Sequence, residues 1–263
     1  MTIKLVWHDC FVIETAECAI VFDYWLDEHG EEREFPGFLD TLNPAKPLYI
    51  FVSHGHKDHF TRSIFSWASR FDRVHYFLSA DVYARSRHVF SRRSVYKGPK
   101  VNPDHVTRML PGEEWSDGLL AVRAFDSTDT GVAYLVEIDG KRIFHAGDLN
   151  AWIFRELWKP EDEEREMKRF NAIIADIEKY VGDKKIDVAM FPVDSRIGEA
   201  YMDGARIFAE QLHPEIFLSM HLDLGDQSDR GRRRIDADAF CKKASENSAT
   251  QFKLLDSGYL IQI

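Results

Sequence analysis

The stretch Ser53-His54-Gly55-His56-Lys57-Asp58-His59 decides how this chain is read. Three imidazoles and a carboxylate stand directly behind the apolar run Leu48-Tyr49-Ile50-Phe51-Val52, which reads as a buried strand. Such a strand delivers the cluster to the edge of a sheet. Residues i and i+2 of an extended chain project to the same side, so His54 and His56 can face one ion, and Gly55 lets the backbone pass close. Asp58 and His59 follow where the chain is already turning and can face a second ion. The spacing suits two metals better than one, and a solvated polar loop accounts poorly for three histidines at ligand spacing.

Outward from this cluster the pattern is strand-rich. Toward the N-terminus, Ile3 to Trp7, Phe11 to Thr15 and Cys18 to Tyr24 are short β-branched or aromatic runs separated by polar turns. Beyond the cluster, Ile64, Phe65, Trp67, Ala68 and Phe71 recur at helical spacing and predict a helix opening near Asp58 or Thr61. Val74 to Leu78 reads as a strand, Ala80 to Phe90 as a helix, and Gly98-Pro99 and Asn102-Pro103 as loops. Strands return from Leu119. Val132 to Ile138 and Lys141 to Ala146 flank Asp139-Gly140, a two-residue hairpin signal because both turn positions need φ > 0. Glu161 to Tyr180 predicts a charged surface helix with Phe170, Ile173, Ile174 and Ile177 on one face. Ile186 to Phe191 is a strand stopped by Pro192, Ala205 to Leu212 a helix, Ile216 to Met220 a strand ending at His221, Ala237 to Asn247 a helix, and Tyr259 to Ile263 a closing strand. Three ligand positions, His54 to His59, Asp148 and His221, thus come directly after strands. Two sheets packed face to face with helices outside would bury all these runs.

A length of 263 residues suits one domain spanning 1–263, and no repeat, low-complexity tract or Gly/Ser linker divides it. The formal net charge of −10 would repel a phosphate backbone and weighs against nucleic acid as a partner. Glu14 and Glu17 interrupt the early apolar stretches, so neither a signal peptide nor a membrane span is expected, and the predicted location is cytoplasmic. Cys10, Cys18 and Cys241 form no C-x-x-C pair and read as buried small hydrophobes. The basic run Arg230-Gly231-Arg232-Arg233-Arg234 reads either as a solvated loop or as an anion-attracting lip on a pocket, with Arg232, Arg233 and Arg234 as substrate contacts. The partner expected is a small anionic substrate, and a homo-oligomer is compatible with the composition.

Ser53 to His59, then His145-Ala146-Gly147-Asp148 after a hairpin, then His221 after a later strand, closely resemble the metallo-β-lactamase superfamily. Trp7-His8-Asp9-Cys10-Phe11 and Asp23 also have counterparts there, and the likeness is greatest to the branch of hydrolases related to ascorbate-6-phosphate lactonase. The resemblance implies an α/β, four-layer αβ/βα sandwich with two divalent metal ions at one edge. It implies that His54 and His56 hold the first metal, that Asp58, His59 and His221 hold the second, and that Asp148 bridges them. Asp23 resembles the carboxylate that accepts the free N–H of a ligand histidine. His8 and His145 read either as supports of this kind or as histidines packed in the core.

The sequence departs from the family where most relatives place a third-motif histidine, since Phe125-Asp126-Ser127-Thr128-Asp129-Thr130-Gly131 contains none. Either a carboxylate replaces it, with Asp129 the candidate, or the first metal is held weakly; His105 can serve only if its loop folds back. A carboxylate there shifts the first site toward Mn²⁺ or Fe²⁺, with Zn²⁺ still suitable. Two such ions acidify a bridging water and polarise the bond attacked, while Asp58 and Asp148 hold the ions and orient the hydroxide. The expected activity is therefore a dinuclear metal-dependent hydrolase acting on a phosphodiester or a sugar-phosphate lactone. A nuclease of the tRNA-processing kind and a non-catalytic metal- or ligand-binding domain of the same fold are the alternatives.

Overall fold

Leu48–Val52 is a strand with every residue buried, as its composition predicts. The computed structural model describes residues 1–26, 37–246 and 248–263, and these gather into two units, Met1–Leu110 with Asp256–Ile263, and Pro111–Leu255. The first unit contains β1 (Thr2–Trp7), β2 (Cys10–Glu14), β3 (Ala19–Phe22), β4 (Leu48–Val52), β5 (Val74–Ser79), helix α1 (Ala80–Phe90) and β6 (Val106–Met109). β1, β2 and β3 form an antiparallel meander, whereas β3 to β6 run parallel. Strand alternation divides the core. Val21, Ile50, Val52, Tyr76 and Leu78 pack with Val82, Val89 and Phe90 of α1, while Phe22, Phe51 and Phe77 stack in a ladder with ring centroids 4.9 and 4.5 Å apart.

The helix expected after the histidine cluster is a 3-10 helix, Arg62–Ser69, and Ile64, Phe65 and Trp67 are its buried residues. Serine hydroxyls favour the tighter winding: Ser66 Oγ donates to the Ser63 carbonyl at 2.6 Å and Ser69 Oγ to that of Ser66 at 2.7 Å, bonds that compete with α-helical pairing.

The second unit contains β7 (Glu114–Ser116), β8 (Leu120–Phe125), β9 (Ala133–Ile138), β10 (Lys141–His145), α2 (Pro160–Val181), β11 (Val188–Pro192), α3 (Asp203–Leu212), β12 (Ile216–Met220), α4 (Gln227–Ser245) and β13 (Gln251–Lys253). The chain closes with β14 (Leu260–Gln262), antiparallel to β1 in the first unit. Each unit thus owns one seven-stranded sheet, in the orders β14-β1-β2-β3-β4-β5-β6 and β13-β12-β11-β10-β9-β8-β7. The β9–β10 turn has φ 51° at Asp139 and 72° at Gly140, as the dipeptide predicts. α2 buries Phe170, Ile173, Ile174 and Ile177, the face expected from its period. β10 to β13 are parallel.

Two expectations need correction besides the 3-10 helix. α4 begins at Gln227 rather than Ala237, because the Asp226 side chain caps it by accepting from Asp229 N at 3.0 Å, so the arginine run is helical and not a loop. Its predicted end at Asn247 lies outside the described residues. Pro192 is the last residue of β11 rather than a stop beyond it. The short strands β6, β7 and β13 were not predicted, since three or four residues carry no readable period. Among the described residues, no helix is long and apolar enough to cross a membrane. The mixed α/β, two-sheet class agrees with the expected fold.

Candidate metal centre

In the first unit the site grows from the register of two parallel strands. β3 pairs with β4 so that Phe22 lies opposite Phe51, and the next residue, Asp23, donates its N–H to the Phe51 carbonyl at 2.9 Å. Asp23 is therefore held beside Ser53, and it accepts from Ser53 N at 2.7 Å, from Ser53 Oγ at 2.5 Å and from His59 Nδ1 at 2.8 Å. A carboxylate can only accept, so His59 carries its proton on Nδ1 and directs the Nε2 lone pair away from Asp23. Nε2 lies 3.1 Å from Asp9 Oδ2. His8 Nε2 lies 3.4 Å from the same oxygen and 3.7 Å from Asp58 Oδ2. His54 Nδ1 stands 3.0 Å from Ser53 Oγ, and its Nε2 3.0 Å from His56 Nδ1.

His8 and Asp9 are the two turn residues between β1 and β2, where Trp7 pairs with Cys10. Hairpin turns normally place polar side chains in water; here both are buried. Asp9 was quoted in the sequence without a role, and its burial in a turn could not be read from composition. His8, expected behind the ligands or in the core, has its ring nitrogen among the donors of Asp58 and His59.

Gly55 performs a different task from the one anticipated. Its N–H donates to Asp81 Oδ2 at 2.9 Å and its carbonyl accepts from Arg85 Nη1 at 2.6 Å. A Cβ would stand 2.6 Å from that carboxylate oxygen and 2.7 Å from that nitrogen. The glycine thus lets α1 clamp the peptide between His54 and His56.

In the second unit β10 ends at His145, and the turn that follows carries Gly147 at φ 55° and the buried Asp148. His145 Nδ1 accepts the Gly147 N–H at 3.1 Å, which ties the imidazole to its own turn. Asp129 and Asp148 bring carboxylate oxygens within 4.8 Å of each other. Thr128 sets this approach: its Oγ1 donates to the Asn150 carbonyl at 2.7 Å and accepts from Asn150 N at 3.0 Å. Arg169 of α2 braces the same loop through the carbonyls of Thr128 and Ser127, at 2.6 and 2.7 Å. Asp126 is exposed and accepts from Ser127 N at 2.9 Å. His105 is exposed on the 3-10 turn Pro103–His105 of the first unit.

His221 follows β12, and Asp194 follows β11, its parallel neighbour, in which Pro192 pairs with Met220. His221 Nδ1 lies 2.8 Å from Asp194 Oδ2 and its Nε2 lies 3.5 Å from Asp148 Oδ1. Arg196 donates from Nε to Asp194 Oδ2 at 2.7 Å, and its Nη2 reaches within 3.1 Å of His221 Nδ1. Burial pushes the Asp194 carboxyl up, but His221 and Arg196 outweigh it and hold the group well below the usual carboxylate range. The Trp152 indole N–H donates to the Asp148 carbonyl at 2.8 Å, and its ring meets His221 edge-on. Asp194 and Arg196 were not singled out in the sequence. The signal of Asp194 was positional only, an acid just past the end of a strand, as with Asp23.

Five non-glycine residues among those described have positive φ; His8 and His221 among them belong to these donor sets, and Asp23 is the carboxylate behind His59. Left-handed backbone at such residues is costly and is kept where the surrounding structure holds it. The arginine run separates into three fates. Arg232 is exposed on α4, 3.8 Å from Asp229; Arg233 is buried; Arg234 donates from Nε to Asp223 Oδ1 and from Nη1 to the Leu255 carbonyl, each at 3.1 Å.

A divalent cation fits these donors, because two imidazoles have Nδ1 engaged by a carboxylate and Nε2 turned toward further carboxylates, the tautomer that ligation needs. The comparisons agree. The beta-lactamase superfamily domain model matches residues 19–222, so the chain belongs to the metallo-β-lactamase superfamily. A UPF0173 metal-dependent hydrolase of Methanosarcina mazei is 22% identical over 267 residues, covering 99% of both chains. Another, from Desulforamulus reducens, is 24% identical over 280 residues and covers both chains fully. The structure of Igni18, a metallo hydrolase from Ignicoccus hospitalis, superposes with a TM-score of 0.63 at 16% identity, covering 99% of this chain and 98% of that one. The chain is a metal-dependent hydrolase of this superfamily.

Proposed function

We propose that this hydrolase uses two divalent ions to cleave a small anionic ester, with a phosphodiester or a sugar-phosphate lactone as the substrate class. After the family pattern, His54, His56 and Asp129 would serve the first ion, Asp58, His59 and His221 the second, and Asp148 both. The observation that carries the reading is the repeated carboxylate–imidazole pair, Asp23 with His59 and Asp194 with His221. Bound divalent ions supply an acidified water near neutral pH and a Lewis acid for the bond attacked. The side chains do the rest. Asp23 and Asp194 keep the Nδ1 protons in place so that both Nε2 lone pairs remain available. Asp58 and Asp148 would supply carboxylate oxygens that hold the ions and orient the attacking water. Asp9, 3.1 Å from His59 Nε2, adds a carboxylate to the first unit's donors.

This oxygen-rich set favours manganese or iron alongside zinc. Likeness to the ascorbate-6-phosphate lactonase branch and a cytoplasmic setting belong to the same proposal. The decisive experiment combines elemental analysis of protein purified without chelator with a screen of phosphodiesters, lactones and thioesters. Near-stoichiometric loading with two ions and turnover of an anionic ester is the expected result. A well-loaded preparation holding a single ion, or turnover confined to uncharged thioesters, would overturn it.

A further inference from the structure

We propose that Arg233 recognises an oxyanion of the substrate, phosphate or carboxylate, a reading that rests on the hydrolase function above and specifies one residue for it. Arg233 is only 2% exposed, yet its Nε and Nη2 have no hydrogen-bond partner among the described residues. These two nitrogens form the side-on edge of the guanidinium, whose parallel N–H bonds match the two oxygens of a carboxylate or phosphate. A buried edge of this kind is ordinarily filled, since an unmet charged donor is costly.

Three carboxylates lie around it, yet none makes a hydrogen bond to Nε or Nη2. Asp194 binds His221 and Arg196, Asp223 binds Arg234, and Asp229 lies in the first turn of α4 beside Arg232. Burial pushes the Arg233 guanidinium down, Asp194 pushes it up, Arg196 adds a second positive charge, and Asp229 and Asp223 contribute less; the net direction is down. Beside Nη2 lies Gly225, at φ 84°, where an added Cβ would stand 3.1 Å from that nitrogen and 3.0 Å from Asp229 Oδ2, so the turn there leaves out a side chain that would crowd this edge. Arg196, whose charge acts on Arg233, also reaches within 3.1 Å of His221 Nδ1.

The test titrates inorganic phosphate, and separately acetate, into the full-length protein by calorimetry, both as purified and after chelation. At least one anion should bind, and Arg233→Met should weaken it about tenfold or more in both preparations. Arg233→Lys, which keeps the charge but not the fork, should fall between, and Lys242→Ser, removing an exposed charge from the same helix, should match the wild type. Without anion, Arg233→Met should melt no lower than the wild type, because a buried guanidinium lacking partners is replaced by an apolar chain of similar length. Equal affinities in the wild type and both Arg233 variants, or binding abolished by chelation alone, would overturn the assignment. Arg233-dependent binding without any esterase turnover would sink the hydrolase substrate class and leave this site standing. Turnover of phosphorylated esters with an unchanged KM in Arg233→Met would do the reverse.

Discussion

The two units build their donors by the same device and finish it differently. In each, one parallel strand ends near an aspartate and its neighbour leads to a histidine: register sets Asp194 against His221, and sets Asp23 against Ser53, from which the following turn brings His59 back to it. Asp23 is then engaged by the Ser53 N–H, the Ser53 hydroxyl and His59, whereas Asp194 is engaged by His221 and the Arg196 guanidinium. The first carboxylate is a structural clamp on the loop that carries the histidine cluster. The second is a charge pair that steadies one imidazole. Losing Asp23 should therefore cost more folding stability than losing Asp194, and either loss should weaken metal binding.

The largest effect is expected where both ions depend on one group. Asp148→Ala should remove both metals and turnover, whereas His59→Ala should mainly empty one site; elemental analysis of the two variants checks this, and an Asp148→Ala protein that keeps a full complement would break the bridging assignment. Next, Asp23→Asn and Asp194→Asn should each weaken metal affinity or activity by roughly 10–100-fold, the usual consequence of removing a carboxylate behind a ligand. Asp23→Asn should lower the melting temperature of the chelated protein more than Asp194→Asn, because the Ser53 donors are buried with Asp23 whereas Arg196 is part-exposed. Equal thermal losses in the two variants would erase the distinction between clamp and charge pair.

A smaller effect separates the acids of the loop after β8. Asp129→Ala should weaken metal binding by about an order of magnitude if a carboxylate has replaced an imidazole there, while Asp126→Ala and His105→Ala should leave it nearly unchanged. Metal titrations that rank Asp126 or His105 above Asp129 would move the missing ligand elsewhere. The smallest effect concerns pH. The Asp194 carboxyl is depressed in the folded state, so its stabilisation is complete above the unfolded value of about 3.9 and is lost as pH falls toward the folded one. Melting temperatures of chelated protein should thus decline below about pH 4, and Asp194→Asn should make that decline shallower. An unaltered acid limb would show that Arg196 and His221 do not hold the carboxylate as the geometry implies.

Local pattern carried much of this. The run before His54 announces β4, Asp139-Gly140 announces a hairpin, and four apolar positions announce the inner face of α2. Asp129 and Asp23 were legible as acids near strand ends. Asp9 was not, because a polar dipeptide between two strands looks like any exposed turn, and only the packed structure buries it. Arg232, Arg233 and Arg234 looked equivalent, yet a helix sends successive residues in directions about 100° apart, so one meets solvent, one the interior and one Asp223.

The sequence by itself determined the metal-binding character of the chain, since imidazoles and carboxylates at ligand spacing behind an apolar strand are a local fact. It determined most strands and helices for the same reason: periods of two and 3.6 are written in neighbouring residues. Tertiary structure decided which groups support those ligands. Asp23 reaches Ser53 and His59 across 30 and 36 residues, and Asp194 reaches His221 across 27, through strand registers that no local pattern specifies. It also decided that Arg233 is the member of its run with a buried, unfilled edge, because burial is a property of what packs around α4 and not of the helix itself.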